Sequence, residues 1–244
     1  MKRGVLASCL LCAAAFMVPS NILAQDAPAG AIFNLDTVQT TVLSSYQPFS
    51  TSFVADNSTE FVSFAFRETP AFFAFDDASV IVQGGSTNLL ADPGFESGTF
   101  GQNCNHNNSL GCPPGWNAWI QAVDTDAIGQ VATAADHYGC GANGPNSGTG
   151  YWCDGSVQGY DAVYQQLTGL TVGATYNINF ELGDNSGTAP NQNSEGSQID
   201  MLVYAGDSIP VGTISIGTPE PGTMGLIGAG ILALGAALRR RLAA

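Results

Sequence analysis

The stretch from Ala174 to Leu182 sets the terms for the fold. Ala174, Tyr176, Ile178, Phe180 and Leu182 alternate with Thr175, Asn177, Asn179 and Glu181. A strict period of two places the apolar set on one face of an extended strand and leaves the other face wet. Val62, Phe64 and Phe66 alternate with Ser63, Ala65 and Arg67 in the same way. Further strands are predicted over Thr37–Leu43, Phe49–Val54, Phe72–Val82, Ala162–Leu167, Ile199–Tyr204 and Gly212–Ile216. Turns rich in Asn, Gly, Asp and Ser separate them, and no long segment of period 3.6 lies between the two ends of the chain. Many short strands with turn signals between them specify an all-β sandwich or barrel.

Both ends read as processing segments. Lys2 and Arg3 precede an apolar run from Val5 to Val18, and Ala24 ends a signal peptide over residues 1–24. The lipoprotein-like box before Cys9 is set aside, because the apolar run continues well beyond it. At the other end, Pro219-Glu220-Pro221 is followed by an uncharged run over 222–238 and then by Arg239, Arg240 and Arg241. The prolines keep the motif extended. From Met224 onward the apolar run spans about 22 Å as a helix, short of the ~30 Å hydrocarbon core, and the arginines favour cytoplasmic retention. This combination over 219–241 resembles a PEP-CTERM sorting signal. The resemblance implies a transmembrane helix at 222–238 and transient inner-membrane anchoring. It also implies processing near the motif by an exosortase of a Gram-negative bacterium, with release to the cell surface or extracellular matrix.

Composition bounds what the exported body touches. Of six Lys+Arg, Arg67 alone lies between the two tails, against nineteen of the twenty acids. Nucleic acid is excluded as a direct partner, since it requires clustered cations, and an anionic membrane surface is excluded likewise. So acidic a domain is soluble and self-repelling, and it suits Ca²⁺, a cation that takes oxygen ligands.

Four cysteines remain after the signal peptide, Cys104, Cys112, Cys140 and Cys153. An even number in an exported chain reads as two disulfides, with three possible pairings. The local one, Cys104–Cys112 and Cys140–Cys153, closes two short loops rich in Gly, Asn and Pro. Zinc is the competing reading, through Cys104-x-His106 and His137-x-x-Cys140.

Two stretches resemble jelly-roll carbohydrate-binding modules of the galactose-binding-like type. Residues 88–98, with Gly115-Trp116 after them, are similar to the opening strand. Tyr164 to Leu170, followed by Gly173 to Tyr176, is similar to the central passage, and Phe75 to Val80 resembles the closing strand. Here the closing strand comes first. The resemblance therefore implies one circularly permuted jelly-roll β-sandwich over residues 31–216, with closing strands in 31–83, opening and middle strands in 88–216, and a bridge at 83–87. Two small domains are the alternative, though 53 residues make a poor core. The resemblance also implies a structural calcium between Glu96 and Asp77, with Asp76 beside them.

Catalysis finds little support. His106 and His137 lie in no nucleophile motif, and carboxylate pairs such as Asp124 and Asp126 are expected by chance among so many acids. Trp119, Trp152, Tyr151 and Tyr138 are instead the expected sugar-stacking residues, provided their rings are exposed. Trp116 is read as core, and the run from Asn103 to Asn108 as an ordinary loop. The expectation is a non-catalytic envelope or matrix protein that binds extracellular polysaccharide. A structural or adhesive display protein without a small-ligand site is the alternative.

Overall fold

The computed structural model describes residues 27–38, 43–68, 72–121, 129–135, 144–156, 159–184 and 199–210. The signal peptide, the strand predicted at Gly212–Ile216 and the whole sorting tail with its helix lie outside them. Among the described residues no helix is long and apolar enough to cross a membrane.

Two antiparallel five-stranded sheets are described. The first runs in the order β1 (Phe33–Asn34), β10 (Ile199–Gly206), β3 (Thr59–Glu68), β8 (Asp161–Thr168), β5 (Asn117–Ile120). The second runs β2 (Gln47–Val54), β9 (Thr175–Asp184), β4 (Phe73–Val82), β7 (Gly150–Asp154), β6 (Gln130–Thr133). They pack as a β-sandwich. The alternating positions do what their period dictates. Val62, Phe64 and Phe66 of β3 and Tyr176, Ile178, Phe180 and Leu182 of β9 enter one shared core. Phe64, Phe75 and Phe180 meet at its centre, with ring centroids 4.8, 5.7 and 5.8 Å apart.

A bulge adjusts β4 to this core. Asp76 pairs with Glu181 and Ser79 with Asn179, so Asp77 and Ala78 face a single residue on β9. The extra residue moves the inward set from odd to even positions. Phe73 and Phe75 point inward before the bulge, and Ala78 and Val80 after it. Asp77 sits at the bulge with φ 51°, in the left-handed region that costs a non-glycine residue about 1–2 kcal/mol.

The two halves of the body interleave. In the first sheet β10 lies between β1 and β3, and in the second β9 lies between β2 and β4. Strands from 33–82 thus alternate with strands from 117–206, and both halves contribute to one core.

Two expected strands take other forms. Thr37–Leu43 begins inside a single helical turn, α1 (Leu35–Val38), with residues 39–42 outside the described set. The segment 88–98 is irregular rather than a strand, because Pro93 lacks an N–H and both Asp92 (φ 42°) and Phe95 (φ 57°) are left-handed. It lies along β4 all the same. Leu89 N–H donates to Val80 O at 2.9 Å, Ala78 N–H donates to Pro93 O at 3.0 Å, and the Asn88 side chain bonds Val80 N–H and Ala78 O.

The outer face of the first sheet carries a charged contact. The Arg67 guanidinium lies 4.4 Å from the centre of the Tyr160 ring, and the Tyr160 hydroxyl donates to Asp200 Oδ2. Burial, then the neighbouring Asp36 charge, pushes the Asp200 carboxyl up to about 7. The folded state therefore holds a proton that the unfolded chain releases near the ordinary value of 3.8. Stability is fully present below the lower value and falls as pH rises toward the upper one, by about 1.4 kcal/mol for each pH unit crossed. Above pH 7 this contribution is level. The melting temperature is expected to climb from pH 8 to pH 5, and Asp200→Asn to reduce the climb, the remainder coming from Asp76, whose carboxyl is raised by burial in the same way. An unchanged slope in that variant would remove Asp200 as its source.

Candidate functional site

A surface groove of the described residues is built by the loop from Gly101 to Cys112. A disulfide between Cys104 and Cys112 closes this loop. Inside it, Asn105 Oδ1 accepts from Asn107 N–H at 2.8 Å and Asn108 Oδ1 from Leu110 N–H at 3.0 Å. These Asx turns bend the chain locally without a regular element. Asn105 N–H donates to Leu110 O at 2.8 Å and Ser109 N–H to Asn105 O at 2.7 Å. Gly111 has φ 80°, and a Cβ there would lie 2.5 Å from Asn103 O, so the turn requires glycine.

The loop bridges both sheets. Gly101 N–H donates to Val131 O and Cys104 N–H to Gly129 O, each at 3.0 Å, and Asn103 forms a bridge with Gln130 at the start of β6. On the other side Ser109 Oγ donates to Asn117 Oδ1 of β5 at 2.6 Å. β6 and β5 are the last strands of their sheets, so the loop closes one open flank of the sandwich.

The resulting groove has a volume of about 570 Å³. Gln102, Asn103, Asn105 and Gln130 line it together with Leu110 and the backbone of Gly101 and Gly111. No lining residue is ionisable. Leu110 is 70 % exposed, and Phe100, next to Gly101 in the chain, is 42 % exposed. Among the described residues the side-chain amides of Gln102, Asn103 and Gln130 make no intramolecular hydrogen bond. The sequence alone reads this run as an ordinary loop. Its legible signal is a set of carboxamides next to a cysteine pair.

The expected stacking residues do not form a platform. Trp152 lies in the main core between the sheets, with Nε1–H donating to Asp154 Oδ2 at 2.8 Å. Trp119 belongs to a cluster on the first sheet with Tyr160 and Tyr204, and its Nε1–H donates to Ser63 Oγ at 2.8 Å. Tyr151 packs in a third cluster with Ala74, Ala132 and Cys153. All three side chains are buried. Neighbours on a strand point to opposite faces, so Tyr151 and Trp152 of β7 cannot share a surface. Tyr138 lies outside the described residues. Trp116 is core as expected, with its ring 5.1 Å from that of Phe95.

Cys104 is consumed by its disulfide, so the zinc reading loses that ligand. Cys153 is also disulfide-bonded. Cys140 and His137 lie outside the described residues.

The three acids expected at a calcium site are brought to one neighbourhood. A Cβ on Gly94 would meet Asp76 Oδ1 at 3.6 Å, Asp77 Oδ1 at 3.7 Å and Glu96 Cγ at 3.8 Å. Each acid also holds the segment 146–150. Asp76 Oδ2 accepts from Asn146 N–H at 2.8 Å and Ser147 N–H at 3.2 Å. Asp77 accepts from Ser147 Oγ at 2.7 Å and Asn146 Nδ2 at 2.8 Å. Glu96 accepts from Thr149 N–H and Oγ1 and from Gly150 N–H. Burial pushes the Asp76 carboxyl up to about 7, while the N–H donors of Ser147 and Asp77 act in the opposite direction.

The fit to calcium is partial. Asp76 and Asp77 both bring Oδ1 beside Gly94, where Asp76 Oδ1 accepts from Asp77 N–H and Asp77 Oδ1 from Ser147 Oγ, each at 2.7 Å. These are hard oxygens of the kind Ca²⁺ takes, but few of the roughly 6–8 it needs. Glu96 turns instead to the Thr149 and Gly150 amides. Among the described residues no three His, Cys, Asp or Glu side chains converge with metal-holding geometry.

No curated protein and no solved structure matches this chain. Residues 218–241 match the family model described as the PEP-CTERM protein-sorting motif. That match spans Pro219, Glu220, Pro221 and the three arginines, and it marks the chain as an exported, membrane-passing protein that exosortase processes.

Proposed function

We propose that the exported body is a non-catalytic polysaccharide-binding module that is carried to the cell surface or matrix and binds through the groove of Gln102, Asn103, Asn105, Leu110 and Gln130. The observation that carries this reading is the set of carboxamides of Gln102, Asn103 and Gln130, free of intramolecular bonds among the described residues, beside an exposed leucine. A carboxamide offers donor and acceptor together, which matches the paired hydroxyls of a sugar, and Leu110 offers an apolar surface to its C–H face. The resemblance of residues 88–98 and 164–176 to jelly-roll carbohydrate-binding modules points the same way. Isothermal titration of bacterial exopolysaccharide into wild type and into a Gln102→Ala/Leu110→Ala double variant tests it. Binding is expected for wild type and a tenfold or greater loss for the variant. Equal affinities would place the polymer elsewhere.

One observation favours a second reading. Burial of Trp119, Trp152 and Tyr151 leaves few exposed aromatic rings among the described residues, as expected of a display or adhesive protein without a small-ligand site. Complete absence of polymer binding supports that alternative.

Calcium is proposed as a structural ion held by Asp76 and Asp77, where it would neutralise two adjacent acids, one of them fully buried. The thermal midpoint is expected to rise when millimolar calcium replaces chelator, and Asp77→Asn to abolish the rise. Identical melts in calcium and chelator would discard the ion.

A further inference from the structure

We infer that the groove selects an uncharged polysaccharide and rejects polyanionic ones; the inference rests on the binding reading above and names its ligand class. A polyuronate or sulfated chain needs a cation to meet its charges, as carboxylate recognition by Arg or Lys illustrates. The groove supplies none: its polar side chains are the amides of Gln102, Asn103, Asn105 and Gln130. Among the described residues no Lys or Arg stands in reserve nearby, and His106, next to Asn105 in the loop, does not line the groove. Arg67, the one Lys or Arg between the two tails, is buried and laid over Tyr160 on the first sheet.

The charge of the whole chain acts in the same direction. Its formal net charge is −14 at pH 7. Repulsion between one pair of exposed charges is small, about 1 kcal/mol at 4 Å in water. A polymer charged at every repeat multiplies that cost against an acidic surface, within a Debye length of about 8 Å at physiological salt. A neutral chain carries no such penalty. Its vicinal hydroxyls match the free donors and acceptors of Gln102 and Asn103, and its C–H faces match Leu110. The Cys104–Cys112 bond and the two Asx turns hold these groups in place before binding, which lowers the ordering cost.

The test uses the full chain in a sugar-free detergent with chelator present. Binding of dextran, linear β-glucan and a hexamer of N-acetylglucosamine is compared with binding of alginate and hyaluronate, at 20 and 300 mM NaCl. At least one neutral probe is expected to bind, with affinity changing less than twofold between the two salts, and neither polyuronate is expected to bind. Gln102→Ala is expected to weaken the neutral probe about fivefold, the equivalent of one hydrogen bond. Gln102→Lys is expected to introduce salt-sensitive alginate binding. Because Gln102 is exposed, an unchanged melting curve separates these effects from misfolding. Alginate or hyaluronate binding by wild type that Gln102→Ala abolishes overturns the neutral selection and keeps the groove. Absence of binding to every probe, neutral and anionic, overturns the groove reading together with the inference.

Discussion

Phe75→Ala destabilises the body by about 3–5 kcal/mol, the usual range for emptying a large aromatic site in a core. Phe75 is fully buried and meets Phe64, Phe66, Phe95 and Phe180, with centroids 4.8 to 5.7 Å away. These partners come from both sheets and from both halves of the chain. The loss is therefore expected to lower one transition of the entire body rather than split it in two. Chemical denaturation followed by tryptophan fluorescence and by far-ultraviolet circular dichroism checks this. The two probes should give one coincident, earlier midpoint. A variant in which one probe keeps the wild-type midpoint would show that residues 33–82 and 117–206 fold as separate units, against the interleaved strand order.

The second large effect is expected at Gly150, where β7 begins. A Cβ there would overlap the backbone carbonyl of Phe95. Neither partner has a side chain that can rotate away, so relief requires moving the 95–96 backbone or β7 itself. Gly150→Ala is expected to cost about 3 kcal/mol, the upper end for overpacking. Gly148 provides the contrast. It has φ 63°, and a Cβ there would collide with the end of the Glu96 side chain. That side chain can swing aside, at the cost of its bonds to Thr149 and Gly150 and of the left-handed backbone. Gly148→Ala is expected to cost roughly 2 kcal/mol. In a Glu96→Ala background the Gly148 substitution should become milder while the Gly150 substitution stays as severe. Thermal melts of the two double variants decide this, and equal relief at both glycines would refute the assigned contacts.

The core strands are readable from the chain because their pattern is local. β3 and β9 carry their apolar residues in alternation, β2, β4, β8 and β10 are runs with aromatic or β-branched residues between turn signals, and the observed ends differ from the expected ones by a few residues at most. The shorter strands are not readable. β5, β6 and β7 have four or five residues each, and β7 is buried on both faces, so no wet face marks its period. Their places depend on hydrogen bonds to partners distant in sequence. β7 lies between β4 and β6, and β5 pairs with β8.

The candidate site divides in the same way. Asp76, Asp77 and Glu96 stand out through a motif resemblance, and the sandwich brings all three beside Gly94. Their bonds to residues 146–150 depend on a segment about 50 to 70 residues downstream. The aromatic residues mislead because composition records how many rings a segment holds and not which side of a sheet each faces. Trp152, Tyr151 and Trp119 go to three separate clusters.

By itself the sequence determined the alternating strands, the acidic and almost cation-free body, the pair of cysteines eight residues apart and the sorting tail. Each is a property of neighbouring residues or of composition, and none changes when the chain folds. Only the tertiary structure decided that Phe64, Phe75 and Phe180 share one centre, that Trp119 and Trp152 are buried, and that the loop over 101–112 stands between two sheet edges with the amides of Gln102 and Asn103 free. Those outcomes depend on which distant strands pair and in what register, and strand register is fixed by burying the apolar face as a whole.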